Sequence, residues 1–433
     1  MRILSADWVL PVDGPPIEEG AVAIEEGRIV ALGAGDELGE GERFRDAAIV
    51  PGFVNAHTHL EYAVYAGFGD GLPFEEWLLT HIERKARLVD ADPVAIARLG
   101  AAECLRSGAT TVADASFTGA AALACHELGL RSLVHLEVFG SDAQALAEQF
   151  ERKRAQIEHV LSDRVRLGVS PHAPYTVSAE LYRACLELDL PVATHLAESE
   201  AEQEWLETGE GAWERHPALL PEAPGRTAVR HLAAHGILSP RIVAAHCVKV
   251  DGEEIELLAK HDVAVAHCPR SNALLGCGIA PLAELRAAGV RVALGTDSPA
   301  STPSFDLFEE MRAAIFAARG RGERADALSA EDALELATLG GARALGLENE
   351  VGSLAPGKRA DIAVVSLAGS PYLPWEDPAA AVVMGGSPER VLTTIVDGEE
   401  RYRKGGMAWH ELRRGAARAR ARLLGALPAA PKT

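Results

Sequence analysis

Short β-branched runs alternate with longer helical patterns from residue 48 to residue 295, and this alternation narrows the architecture more than any other feature of the chain. The runs are Ile49–Val54, Thr110–Ala113, Arg131–Phe139, Val165–Val169, Pro191–Thr194, Arg241–Ala245, Val263–Ala266 and Val290–Gly295. Between them lie helical stretches such as Asp142–Leu161, where Leu146, Phe150, Ile157 and Leu161 recur at near-helical spacing. Eight strands alternating with helices over roughly 300 residues predict a (β/α)8 TIM barrel. A doubly wound sheet competes, but eight repeats and the lack of a Gly-rich phosphate loop disfavour it.

The flanks follow a different pattern. Residues 1–47 contain "GPPIEEGAVAIEEGRIVALGAGDEL", and residues 351–403 contain "VGSLAPGKRADIAVVSL" and "VLTTIVDGEERYRKGG". Both read as short strands punctuated by Gly and Pro turns. The expectation is a small β-sandwich domain built from residues 1–47 and 351–433, ending in a terminal helix over "WHELRRGAARARARLLGAL", with the barrel at 48–350. The connection from His195 to Arg241, with Trp205, Trp213 and "HPALLPEAPGRT", is a candidate lid over the barrel mouth. An ordinary surface excursion is the equal alternative.

Bulk properties exclude several roles. The 433 residues carry a formal charge of −21, which opposes nucleic-acid or anionic-membrane partners. Six scattered cysteines without a C-x-x-C pair argue against disulfide scaffolds and zinc knuckles and suit a reducing compartment. Asp7 interrupts what a signal peptide would need as an apolar core, and no stretch approaches the ~20 apolar residues of a membrane span. A soluble cytoplasmic protein is expected, with homo-oligomerisation left open.

Six of the eight predicted strands are followed by a residue able to bind metal. His57 and His59 follow the first, His172 the fourth, His195 the fifth, His246 the sixth, His267 the seventh and Asp297 the eighth, while His135 lies inside the third. Strand ends of a barrel share one mouth, where active sites of this architecture sit. His57, His59, His195 and Asp297 together offer three nitrogens and a carboxylate oxygen, the donor set of a catalytic Zn²⁺, with Fe²⁺ as the alternative. Such a site keeps a position for water, whose pKa falls from about 15.7 towards 7. Glu198, three residues beyond His195, is the candidate general base and then acid. Its alternative is a solvated start to the acidic run "ESEAEQEWLE". His246 and His172 are placed to contact the attacked centre or the substrate. His135 and His267 read as structural, and Glu61 could touch substrate or only neighbouring backbone.

Taken together, "PGFVNAHTHLE", "SPHAPYTVS", "THLAES", "AHCVKV", "CPRSNALLG" and "ALGTDSPAS" resemble the amidohydrolase superfamily. The closer likeness is to its mononuclear aminohydrolase branch, which includes S-adenosylhomocysteine/methylthioadenosine deaminases, aminodeoxyfutalosine deaminases and triazine hydrolases. The resemblance extends end to end, because "GSLAPGKRADIAVV" is similar to that family's return to its β-domain. It implies one divalent metal on His57, His59, His195 and Asp297, with Glu198 passing a proton to a ring nitrogen. It also implies that His246 contacts the water or tetrahedral centre, and that Asp297 accepts a proton and assists departure of ammonia. Binuclear relatives carry a lysine on the fourth strand, and Arg164–Pro171 has none. Guanine deaminases carry an arginine where this chain has His172.

Two departures from the branch bear on substrate. The ribose-binding glutamate expected after "FEEWL" falls on Ala86, with Glu83 three residues earlier, and the arginine expected after the third strand has no match in "EVFGSDAQ". Arg270, Trp77 and Tyr175 are candidates to meet another substituent, equally weighted against structural roles. The expected function is metal-dependent hydrolytic deamination of an amino-substituted N-heterocycle, foremost an adenine nucleoside. The same scaffold could instead serve triazine dechlorination, guanine or pterin deamination, or cyclic amide hydrolysis; a non-catalytic binding barrel is the remaining rival.

Overall fold

The computed structural model describes residues 1–216, 220–370 and 376–427. Its centre is an eight-stranded parallel barrel of Phe53–Thr58, Ala109–Ser116, Arg131–Val138, Val165–Pro171, Val192–Leu196, Ile242–His246, Ala264–His267 and Val292–Leu294. Each strand pairs with the next in chain order. The strands are buried along nearly their whole length, which is why they read as continuous Val/Ala runs and not as alternating ones. The ring closes where the Asp297 N–H donates to the His57 carbonyl at 3.0 Å and Thr58 bridges to Asp297. Gly295 allows that closure: a Cβ there would lie 2.8 Å from His57 Cβ.

The run Ile49–Val54, expected as one barrel strand, is divided between two sheets. Glu42–Pro51 joins the terminal sheet, and the barrel begins at Phe53. The divide falls at Gly52, where a Cβ would sit 2.1 Å from Thr110 Cγ2. Only a residue without a side chain lets the backbone pass that close to the second strand.

Strands from both termini form one mixed sheet, in which Arg2–Val9 and Glu42–Pro51 pair in parallel and Ile362–Ser366 runs antiparallel to the latter. The sheet folds over itself, because Arg28 bridges to Arg359, and encloses an apolar core that includes Leu4, Val22, Ile29, Ile49, Ile362 and Ile395. A buried ion pair fastens this sheet to the barrel. Arg131, at the start of the third strand, reaches both oxygens of Asp361 at 3.0 and 3.1 Å, and Asp397 at 2.5 Å.

The tail folds as the helix Trp409–Leu423, which buries Ala416, Ala419 and Leu423 beside Ile96 of the helix Asp92–Arg106. Its Arg422 bonds Asp92 at 2.6 Å and its Arg420 the Ala66 carbonyl at 3.2 Å, so these two basic residues serve packing. Helix starts at the mouth are capped locally: Ser199 accepts from Glu202 N–H, and Asp251 forms a reciprocal box with Glu254. No helix among the described residues is long and apolar enough to cross a membrane.

Candidate active site

Four predicted ligands, distant in sequence, meet at the C-terminal mouth of the barrel. His57 lies on the first strand and His59 just past it, pointing to one side as their spacing requires. The rings of His57 and His59 stand edge to face at 4.9 Å, as do those of His57 and His195. His59 Nε2 is 3.2 Å from His195 Nε2 and 3.5 Å from Asp297 Oδ1, and His57 Nε2 is 3.9 Å from the same oxygen. All four side chains are buried.

Three of the candidate ligands are oriented from behind. His59 Nδ1–H donates to the Ala115 carbonyl at 2.8 Å, and His195 Nδ1–H to the His172 carbonyl at 2.9 Å, which directs both Nε2 lone pairs inward. Ser271 and Ser301 each donate to Asp297 Oδ2 at 2.7 Å, leaving Oδ1 to face the imidazoles. Asp297 has φ +55° and His246 φ +75°, left-handed backbone that side chains seldom adopt and that clusters at functional sites.

The electrostatics fit a divalent cation. Burial, followed by repulsion from His59 and His195, lowers His57 well below its ordinary value, and burial pushes His195 down to about 4. Burial lowers His59 as well, so all three imidazoles favour the neutral form, with free lone pairs. Burial raises Asp297, but His59, His246 and the two serines outweigh it and hold the carboxyl below its usual range. His57 Nε2 is fully buried with no hydrogen-bond partner among the described residues, an arrangement costly without a ligand at that nitrogen.

Glu198 and His246 stand beside this cluster. His246 Nδ1–H donates to Asn272 Oδ1 at 2.9 Å, and its Nε2 lies 3.6 Å from Glu198 Oε1. Burial, with the charge of Asp297 adding to it, pushes the Glu198 carboxyl well above its usual range. A carboxyl so raised binds a proton more readily than an exposed one, as a group that takes up and passes on a proton must.

A cavity of about 320 Å³ opens over these groups. Trp77, Tyr175 and His172 line it; Trp77 Nε1–H is held by the Ala300 carbonyl at 3.1 Å, and His172 Nδ1 bonds Thr176 Oγ1 at 2.8 Å. From the long connection after His195, Trp213 and Leu220 form part of the wall, while 217–219 lie outside the described residues. Arg270 is not brought to this cavity. Its guanidinium bonds Glu310 at 2.5 Å, Glu309, and Ser304 at 2.7 and 3.2 Å, all outside the barrel mouth. The helix Pro269–Leu274 leaves the seventh strand so that Ser271 and Asn272, not Arg270, face inward.

Glu61 also resolves. It accepts from Ser116 Oγ, and from Thr118 N–H and Oγ1 at 3.1 and 2.9 Å, which fixes the turn after the second strand. Two wall residues escaped the sequence reading. Glu137, penultimate on the third strand, was a lone acidic residue in the apolar run "LVHLEVF", and Lys85 stood one position before Ala86.

A profile described as the amidohydrolase family matches residues 48–401, and the chain belongs to that family of hydrolases acting on C–N bonds. It is 36% identical over 407 residues to a 5'-deoxyadenosine deaminase of Methanothermobacter thermautotrophicus, covering 91% of this chain and 92% of the relative. It is also 36% identical over 405 residues to a 5-methylthioadenosine/S-adenosylhomocysteine deaminase of Syntrophobacter fumaroxidans, covering 90% and 89%. Among solved structures, an adenosine deaminase from Xanthomonas campestris with bound zinc superposes with a TM-score of 0.87 at 29% identity, covering 98% of each chain.

Proposed function

We propose that the chain is a zinc-dependent deaminase of adenine nucleosides. The observation that carries this reading is the convergence of three buried, neutral imidazoles and the Asp297 carboxylate beside Glu198, in a cavity large enough for a purine. The names of the relatives, which cover nine-tenths of the chain, support the same substrate class.

His57, His59, His195 and Asp297 would hold the metal, and one divalent ion bound there supplies Lewis-acid activation of water. Glu198 takes a proton as water adds to the amino-bearing carbon and delivers it to the adjacent ring nitrogen. His246, with Nδ1–H committed to Asn272, presents Nε2 to the attacked centre and steadies the approaching groups. Asp297 accepts the second proton and passes it to the amino group, which leaves as ammonia while the carbon becomes a carbonyl. Water is consumed and no redox partner is required. The enclosing walls of Trp77, Tyr175 and Trp213 limit competing solvent.

Ammonia release from the metal-replete protein tests the assignment against a panel of adenine nucleosides, guanine, a pterin and a chlorotriazine. The nucleosides should release ammonia, and Glu198→Gln should retain metal while losing about 10²- to 10⁴-fold in kcat. Chloride release from the triazine without nucleoside turnover, or near-normal kcat in Glu198→Gln, would overturn it.

A further inference from the structure

We infer that Glu137 and Lys85 together bind the hydroxyl-bearing moiety attached to the substrate's ring, and so select a nucleoside carrying a vicinal diol over one that lacks it. The inference rests on the reading of the site as a nucleoside deaminase. It supplies the contact that Ala86, one residue after Lys85, cannot make.

Glu137 carries the first half of the argument. It is 3% exposed and lines the same cavity as His59, His195 and Glu198. Its carboxylate lies within 4.8 Å of ring nitrogens of His172 and His195. The backbone carbonyl of Glu137 accepts from Lys153 Nζ at 2.6 Å, yet among the described residues no hydrogen bond reaches its side-chain oxygens. By contrast, Glu61, which lines the second chamber with Lys85, has both oxygens bonded by Ser116 and Thr118. A buried carboxylate without donors is costly, and where one faces a cavity a ligand can supply the missing donors.

Lys85 carries the second half. Its Nζ donates to Tyr62 Oη at 2.9 Å and lies 3.4 Å above the Phe117 ring, which leaves further N–H groups to donate. A hydroxyl both donates and accepts, so a diol placed between the two satisfies the carboxylate as donor and the ammonium as acceptor. An alkyl group or a dideoxy sugar does neither.

The position of the pair also fits. Lys85, Tyr62, Phe117 and Phe139 form the wall shared by the catalytic cavity and a second chamber of about 830 Å³. Because one cavity holds both His59, His195 and Asp297 and this wall, a substrate whose ring meets the former can extend its sugar towards the latter, with the second chamber beyond. The competing role for Glu137 is ligation of a second metal with His172 and His195.

The test compares kcat/KM for adenosine and 2',3'-dideoxyadenosine in the wild type, Glu137→Gln and Lys85→Met, together with metal content per chain. The wild type should prefer the diol by about 10- to 100-fold, as hydrogen bonds to charged groups allow. Glu137→Gln should cut that preference to under about fivefold, chiefly through KM, with a smaller cut in Lys85→Met. Equal turnover of both nucleosides by the wild type would overturn the inference and leave the deaminase reading standing. An undiminished preference in Glu137→Gln would overturn it too, as would two metal equivalents per chain falling to one in that variant. No ammonia from either nucleoside would overturn the deaminase reading and the inference with it.

Discussion

His246 Nε2 lies 3.6 Å from Glu198 Oε1, while the opposite ring nitrogen of His246 is tied to Asn272 Oδ1 at 2.9 Å. The hydrogen bond to Asn272 fixes the tautomer and leaves Nε2 as a lone pair facing the Glu198 carboxyl, the proposed proton carrier. His246 sits at φ +75°, so its backbone contributes to the aim of the ring. Asn272→Leu should therefore lower kcat by about 10- to 100-fold with metal content unchanged and KM little altered. Steady-state kinetics with metal analysis checks this, and an unchanged kcat would show that His246 needs no such anchor.

Ser271 and Ser301 both donate to Asp297 Oδ2, which leaves Oδ1 as the oxygen turned to His57 and His59. Removing these donors frees the carboxylate to rotate and removes part of what holds it ionised. Ser271→Ala combined with Ser301→Ala should weaken metal affinity by about 10- to 100-fold, measured by competition with a chelator.

Arg131 and Asp361 form the buried fastening between barrel and terminal sheet. Truncating one member leaves the other charge desolvated and alone. Arg131→Met should cost about 3–5 kcal/mol in denaturant unfolding, far more than loss of an exposed pair such as Arg324–Asp326. A change under about 1 kcal/mol would mean that the fastening is not a stability determinant.

Two of the buried histidines outside the proposed ligand set contribute to the acid limit. Burial pushes both His231 and His267 down to about 4 in the folded chain. The unfolded chain, with ordinary histidines near 6.5, takes up these protons first. The stability they support is complete above about pH 6.5 and is lost as pH falls towards 4. The denaturation midpoint should fall steadily from pH 7 to pH 5, and His231→Gln should flatten that slope. A pH-independent midpoint over this range would contradict it.

The features legible in the sequence were those with local chemical signatures. Histidines and an aspartate at the ends of Val/Ala runs marked the candidate ligands, because a polar side chain at the end of a parallel strand buried on both faces needs a partner there. Gly52 was visible too, but only its approach to Thr110 shows that it separates two sheets within a single apolar run. The choice between substrate contact and a structural role for Arg270 was not legible, for a geometric reason. Proximity to the seventh strand is local information, but the facing of the helix Pro269–Leu274 is set by Glu309 and Glu310, some forty residues later. Glu137 was passed over because a lone carboxylate inside an apolar strand carries no motif; that its side-chain oxygens take no hydrogen bond among the described residues appears only once the third and fifth strands and the helix Phe74–Lys85 are assembled.

The central claim is that one divalent metal on His57, His59, His195 and Asp297 supports nucleoside deamination. Titration of metal-stripped protein with Zn²⁺, monitored as ammonia release from methylthioadenosine, tests it most directly. Release should be nil before metal is added, rise linearly, and saturate at a single equivalent per chain, with no recovery in His57→Ala. Full ammonia release by the stripped protein, or saturation only at two equivalents, would contradict it.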